Sequence, residues 1–263
     1  MTESDDLLPG SLRRSMHLYR AMRTPQAPAT LRRLVAADSA AHIAQFHSLD
    51  GQVVLDVGAI SGDLAEAVRA AGARFLGVSF PGTPSAAAVT HGSGPVATPA
   101  ERGEPAAPPI PDVVLGAPTA LPVHSGAVDV CYSADVLQQV GDPEHMAGEM
   151  VRVTRPGGLV FLCFVPWYSR SGGLETAPWH YFGGQYAARR YERTRGSAPA
   201  NRFGENLFAV SVSRMMHWAH GRGDLASVQL VPRYYPSWAT WVAHVPGLRE
   251  LAVRNVALVL RVR

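Results

Sequence analysis

The 263-residue chain contains no lysine; all 24 of its basic residues are arginine. With alanine, glycine and proline abundant, that bias reflects a GC-rich coding sequence rather than a functional choice. Cysteine is almost absent. Cys131 and Cys163 each lie in a run expected to be a buried strand, so they read as core thiols and not as a disulfide or a nucleophile. Charge is sparse as well: 17% of residues are charged and the formal net charge is +3, too little to argue for nucleic acid or an anionic membrane as partner. No apolar segment has the length of a membrane span and no signal peptide is evident, which makes the cytoplasm the expected location. His, Cys, Asp and Glu never cluster at metal-ligand spacing, and there is no serine triad, phosphate loop or internal repeat.

At 47% hydrophobic, the chain is able to bury the core of one sizeable domain. Residues 1–10 read as a flexible tail and 11–263 as a single domain. Two helices are expected at about 11–23 and 28–47, parted by the proline-bearing stretch 24–28. A strand at 52–57, a helix at 62–72 and a strand at 74–79 follow. Residues 81–112 turn to Pro, Ala, Gly, Ser and Thr and read as a long mobile loop. Beyond it come a strand at 127–133, a helix at about 143–154 and a strand at 158–165. A mainly helical insertion then fills about 175–221, and segments 227–235 and 254–262 flank a Trp-rich helix.

The segment with most chemical content is 53–63, Val-Val-Leu-Asp-Val-Gly-Ala-Ile-Ser-Gly-Asp. Its apolar start suits a central parallel strand, and Leu64, Ala65, Ala67, Val68 and Ala71 give the next segment one apolar helical face. In such a strand–turn–helix, glycines let backbone approach a ligand, and the helix N-terminus offers free N–H groups with a favourable dipole. Gly58 and Gly62 supply two of three expected glycines; the middle position is Ile60, whose branched side chain disfavours positive φ.

That turn, the Leu121-Pro122 pair, the Val128-Asp129-Val130 strand and Arg152-Val153-Thr154-Arg155-Pro156-Gly157-Gly158 together resemble the class I S-adenosylmethionine-dependent methyltransferases. His180-Tyr181-Phe182-Gly183-Gly184, Ala187-Ala188-Arg189-Arg190-Tyr191, Asn201-Arg202-Phe203-Gly204 and Leu207-Phe208-Ala209-Val210-Ser211 extend the likeness to an actinobacterial subgroup, over roughly residues 11–260. The resemblance implies an α/β Rossmann-like fold with a mostly parallel sheet and an antiparallel last strand. It places the N-terminal helices (11–47) over the cofactor cleft and makes 175–221 a substrate lid. It also implies a cofactor-facing set of Asp56, Gly58, Ile60, Gly62, Ser79, Ala117 and Asp135.

Several of these positions depart from the pattern. The resemblance asks for an acidic residue where Ser79 stands, to accept bonds from both ribose hydroxyls, and a neutral hydroxyl makes a weaker contact than a carboxylate. A polar group near the adenine amine is replaced by Ala117 and Pro118, and a histidine after the fourth strand by Gln138-Gln139. The motif is thus degenerate, and S-adenosylmethionine is expected to be weakly bound, non-reactive or lost.

Because the methyl donor is already electrophilic, the protein's tasks are to align an acceptor and, where needed, to remove a proton. Candidate catalytic residues are His180, Tyr181 and His217, with His220, Glu175 and Glu192 as further bases. The aromatic-rich second half supplies Trp179, Tyr186 and Tyr191, which with Arg189, Asn201 and Arg202 form a candidate surface for a small apolar substrate. The leading expectation is a natural-product or lipid-like methyltransferase. An enzyme of the same fold that catalyses a cyclisation, pericyclic step or isomerisation, and a non-catalytic ligand-binding protein, stand as alternatives. Oligomeric state is left open.

Overall fold

The computed structural model describes residues 11–23, 28–58, 62–80 and 113–263. Helix α1 (Leu12–Arg23) starts behind Ser11, whose Oγ accepts a bond from the Arg14 N–H at 3.1 Å. α2 (Pro28–Ala44) begins on a proline, which suits a first helical position because its missing N–H has no helical partner to lose. There follow β1 (Val53–Val57), α3 (Asp63–Ala70), β2 (Arg74–Ser79), β3 (Val113–Leu115) and β4 (Val128–Ala134). α4 (Pro143–Val153) is capped by Asp142, which accepts from the His145 N–H at 3.0 Å, and runs directly into β5 (Thr154–Phe164). α5 (Gly184–Arg195), α6 (Val212–His220), β6 (Leu225–Pro232), α7 (Leu248–Leu251) and β7 (Val256–Val262) complete the chain.

The seven strands form one sheet in the order β3-β2-β1-β4-β5-β7-β6. β1 to β5 are parallel, and β7 is antiparallel to both neighbours, pairing Phe164↔Val256 on one side and Pro232↔Val256 on the other. The C-terminal ends of β1, β2, β4, β5 and β6 therefore share one edge. Strand order reverses between β1 and β4, and ligands of open α/β sheets bind outside the carboxyl ends at such a switch point.

The central strands β1, β4, β5 and β7 present alternate side chains to two covered faces. Val54, Val130, Tyr132, Phe161 and Val259 pack beneath α2 and α3 with Ile43, Leu64 and Val68. Leu55, Cys131, Val160 and Leu258 pack against α4 and α6 with Met146, Met150, Val212 and Met215. Phe161 is wholly buried beside Tyr132, Phe46 and His42, and its loss to Ala is worth about 3–5 kcal/mol. Cys131 and Cys163 are free, buried thiols, and burial pushes the Cys163 thiol up to about 12.

The third strand lies at Val113–Leu115, immediately past the Pro/Ala-rich stretch. That stretch, 81–112, and the tail, 1–10, lie outside the described residues. A smaller apolar cluster of Trp167, Leu174 and Leu207, with Phe203, lies over the carboxyl edge. It is tied down by Trp167 N–H to the Val210 carbonyl at 2.8 Å and Phe208 N–H to the Gln138 carbonyl at 2.7 Å. The lid ends there. α6 was expected within it, yet buries Val212, Met215 and Ala219 in the main core, and its first N–H groups at Val212 and Ser213 donate to Glu250 at 2.9 and 2.7 Å. Among the described residues no helix is long and apolar enough to cross a membrane, and no group of His, Cys, Asp or Glu is placed to hold a metal ion.

Candidate functional site

At the switch point, β1 ends in Gly58, which adopts φ +88° and donates to the Val78 carbonyl at 2.7 Å. A Cβ there would meet Val136 Cγ2 at 2.4 Å, so both conformation and space call for glycine. Gly62 caps α3, whose first turn carries Asp63 and Glu66. Ile60 lies outside the described residues. Asp56 shares the pleat face of Val54 and sits opposite Tyr132; burial pushes its carboxyl up to about 7. Ser79 is half-buried at the end of β2, with its carbonyl accepting from the Gly116 N–H at 3.0 Å, and Ala117 is exposed in a short bridge to Ala120.

Across the switch point, Asp135 directly follows β4 and takes φ +58°. Its carboxylate accepts from Asn255 Nδ2 at 2.7 Å; burial raises its pKa, and the Arg233 guanidinium works in the other direction. Gln138 Nε2 donates to the Asp135 carbonyl at 3.0 Å, while Gln139 is buried with neither side-chain amide atom paired.

Beneath α2 lies a polar cluster that the expected site did not include. Arg14 grips Asp38 through two bonds, Nε to Oδ1 at 2.5 Å and Nη2 to Oδ2 at 2.7 Å, and both residues are buried. Ser39 Oγ donates to the Val35 carbonyl at 2.8 Å and accepts from Tyr132 Oη at 3.0 Å and Arg233 Nη2 at 2.6 Å, which uses its full hydroxyl capacity. Arg233 is 0% exposed, and the next residue, Tyr234, takes φ +66°. His42 stands in the same layer, and burial first, then Arg233 and Arg14, hold its pKa down to about 4, leaving it neutral. Two signals pointed here: an Asp38-Ser39 pair inside an Ala-rich apolar helix, and Arg233-Tyr234-Tyr235 at the end of a strand.

The lid residues are not brought together at one point. His180 is buried against Trp167, with ring centroids 5.3 Å apart, and its Nε2 lies 3.1 Å from the Ser169 carbonyl. That nitrogen therefore carries the proton. Nδ1 is unpaired and faces Gly173, where a Cβ would come within 2.6 Å of it. Burial lowers the pKa of the ring. Tyr181 is exposed and its ring lies tilted against His180, with centroids 4.2 Å apart. Trp179 is capped by the Arg190 guanidinium at 3.8 Å, Tyr186 and Arg189 face solvent, and Tyr191 is buried in α5. Asn201 holds Glu175 through its backbone and side-chain N–H groups at 2.7 and 2.9 Å, whereas Arg202 is exposed near Glu205. Glu192 is exposed on α5. His217 and His220 are exposed on α6, across the sheet from α2, and are not brought to the carboxyl edge.

A glycine turn at the switch point of a seven-stranded, mostly parallel sheet in this order, flanked by helices, defines a class I methyltransferase architecture. The chain belongs to the class I S-adenosylmethionine-dependent methyltransferase family. The family described as a methyltransferase domain matches residues 55–162. Over 260 residues the chain is 38% identical to an uncharacterized methyltransferase of Mycobacteroides abscessus, covering 96% of this chain and 95% of that one. It is 40% identical over 257 residues to one of Mycobacterium bovis, covering 95% of each. A solved S-adenosylmethionine-dependent methyltransferase of Mesorhizobium loti shares the fold, with a TM-score of 0.50 and 14% identity over 86% of this chain and 98% of that one.

Membership implies S-adenosylmethionine as cofactor, and the residues present fit it. The positive φ of Gly58 leaves bare backbone at the switch point, and among the described residues no cation acts on the buried Asp56 carboxyl. Asp56, Gly58, the start of α3 and Ser79 would hold it.

Proposed function

We propose that the protein methylates a small natural-product or lipid-like acceptor, holding S-adenosylmethionine through fewer side-chain contacts than the family usually provides. One observation carries this reading: the β1/β4 switch point has the bare Gly58 turn on one side and buried, unpaired polar groups on the other, under an aromatic lid. When bound, the cofactor supplies an electrophilic methyl group. This chain's residues then align the acceptor oxygen, nitrogen or carbon and keep water out. The weakened contacts are Ser79, Ala117 and Gln139. If each lost contact is worth on the order of 1 kcal/mol, three lower affinity by roughly a hundredfold. That leaves a binding site, but a weaker one.

His180, in this reading, orders the lid floor through Ser169 rather than taking the acceptor proton. His180→Asn is then expected to raise KM while leaving kcat within a few-fold; a collapse of kcat with KM unchanged would assign it the base. A second reading, in which the pocket folds a reactive substrate for cyclisation or isomerisation, draws on Gln139, whose buried amide is unpaired where the resemblance expects a histidine. The test is incubation of dialysed protein with a panel of aromatic and polyketide acceptors, with and without methyl-labelled S-adenosylmethionine. Labelled product together with S-adenosylhomocysteine supports methyl transfer. A product of unchanged mass, formed without donor, supports the second reading.

A further inference from the structure

Arg233 combines complete burial with unused hydrogen-bonding capacity. A guanidinium carries five N–H donors in a rigid fork. Here Nη2 reaches Ser39 Oγ at 2.6 Å and lies 3.7 Å from Asp38 Oδ2, and the buried Cys163 thiol lies against the guanidinium, but Nε and Nη1 donate to no oxygen or nitrogen. Asp38 is not waiting for it, since both carboxylate oxygens are already gripped by Arg14. Nor is Asp135, whose carboxylate is engaged by Asn255. The cluster thus holds a second buried cation whose free edge is unspent, and leaving such donors unmet costs more for a charged group than for a neutral one.

Its position gives the surplus a meaning. Arg233 follows β6, so the strand register sets it on the carboxyl edge, on the β5-β7-β6 half of the sheet opposite the Gly58 and Ser79 half. Its backbone N–H donates to the Asn255 carbonyl at 3.0 Å, and Asn255 Oδ1 is itself unpaired. Tyr234 packs under the guanidinium at 4.9 Å, and both Tyr234 and Asp135 hold positive φ, a conformation of non-glycine residues that concentrates at ligand sites. Unmet donors on one residue and an unmet acceptor on the residue its backbone bonds match an oxyacid that carries a hydroxyl.

We propose that Arg233 is the anchor for a carboxylate on the acceptor substrate, paired through Nε and Nη1 in the side-on, bidentate geometry that guanidinium and carboxylate share. This rests on the reading of the cleft as a methyl-acceptor site and adds its substrate class: small organic acids, with Asn255 receiving a hydroxyl. Lipid-like acceptors then enter as their acids.

Benzoate and its neutral counterpart benzamide are the probes, titrated by saturation-transfer NMR into wild type, Arg233→Met and Arg233→Lys. Wild type is expected to prefer benzoate by about tenfold or more, the equivalent of one good contact. Arg233→Met should erase that preference while holding or raising Tm, because it removes a buried charge whose ion pair with Asp38 is long, at 3.7 Å, and leaves the shorter Arg14–Asp38 pair intact. Should the Met variant fail to fold, Arg233→Lys decides, since it keeps the charge without the fork and should lose the preference about tenfold. Equal binding of the two probes by wild type, or a preference that survives substitution, overturns the proposal. S-adenosylmethionine affinity is measured on the same samples. Cofactor binding without benzoate preference sinks the acid anchor alone, and absence of both sinks the methyltransferase reading with it.

Discussion

At Asp56 a single titration reads out the effect of burial on a carboxyl group. Its folded pKa of about 7 stands above the ordinary 3.8, so its neutral form is favoured in the native state. That contribution to stability is fully present below about pH 4 and is lost as pH rises through 7. His42 runs the other way: held down to about 4 from 6.5, it favours the native state above 6.5 and loses that contribution as pH falls through 4. Over the shared window the two slopes oppose. Urea unfolding of Asp56→Asn against wild type from pH 4 to 8 should show the variant gaining relative stability up to about pH 7 and level thereafter; a constant difference would contradict the burial argument. At the neighbouring strand end, Ser79→Glu restores a charged acceptor in place of a neutral one. It is expected to raise S-adenosylmethionine affinity about tenfold, since charge-assisted bonds are roughly twice as strong as neutral ones. Calorimetry checks this, and an unchanged affinity would remove Ser79 from the cofactor contacts.

Between elements, the contact that fixes the N-terminal helices is polar and buried. Arg14 on α1 meets Asp38 on α2, and α2 meets the sheet through Ser39, Tyr132 and Arg233. Asp38→Asn leaves Arg14 buried without its countercharge and should destabilise the protein by about 3–5 kcal/mol in equilibrium unfolding. A loss below about 1 kcal/mol would mean the pair is solvated in practice. Much at this scale was legible in the chain. The Val-rich strands, the helix from 143 and the turn at Gly58 all follow from local periodicity and glycine placement. β3, only three residues long, carries too little pattern to register. α6 has ordinary helical periodicity, but periodicity does not say which layer a helix joins, and it joined the core rather than the lid. The Arg233–Ser39 bond spans 194 residues of sequence, so no local pattern foretells it; the acid-serine pair in an apolar helix and the arginine at a strand end were its traces.

For the whole molecule, the sheet divides its carboxyl edge into two working halves. β1 and β2 bring Gly58, Asp56 and Ser79 to one side, and β4, β6 and β7 bring Asp135, Arg233 and Asn255 to the other. α2 spans both: Arg32 near its start bonds Asp63 of α3 at 3.1 Å, and Ser39 further along meets Arg233. A donor on one half and an acid-bearing acceptor on the other would meet at the switch point, which is the geometry a direct transfer requires. The altered side chains make the donor half the decisive one. The most direct test is calorimetric titration of S-adenosylmethionine into protein stripped of ligand. Saturable binding in the micromolar range is predicted. No detectable heat, confirmed by competition at a second temperature, would contradict the account and make the non-methylating reading the leading one.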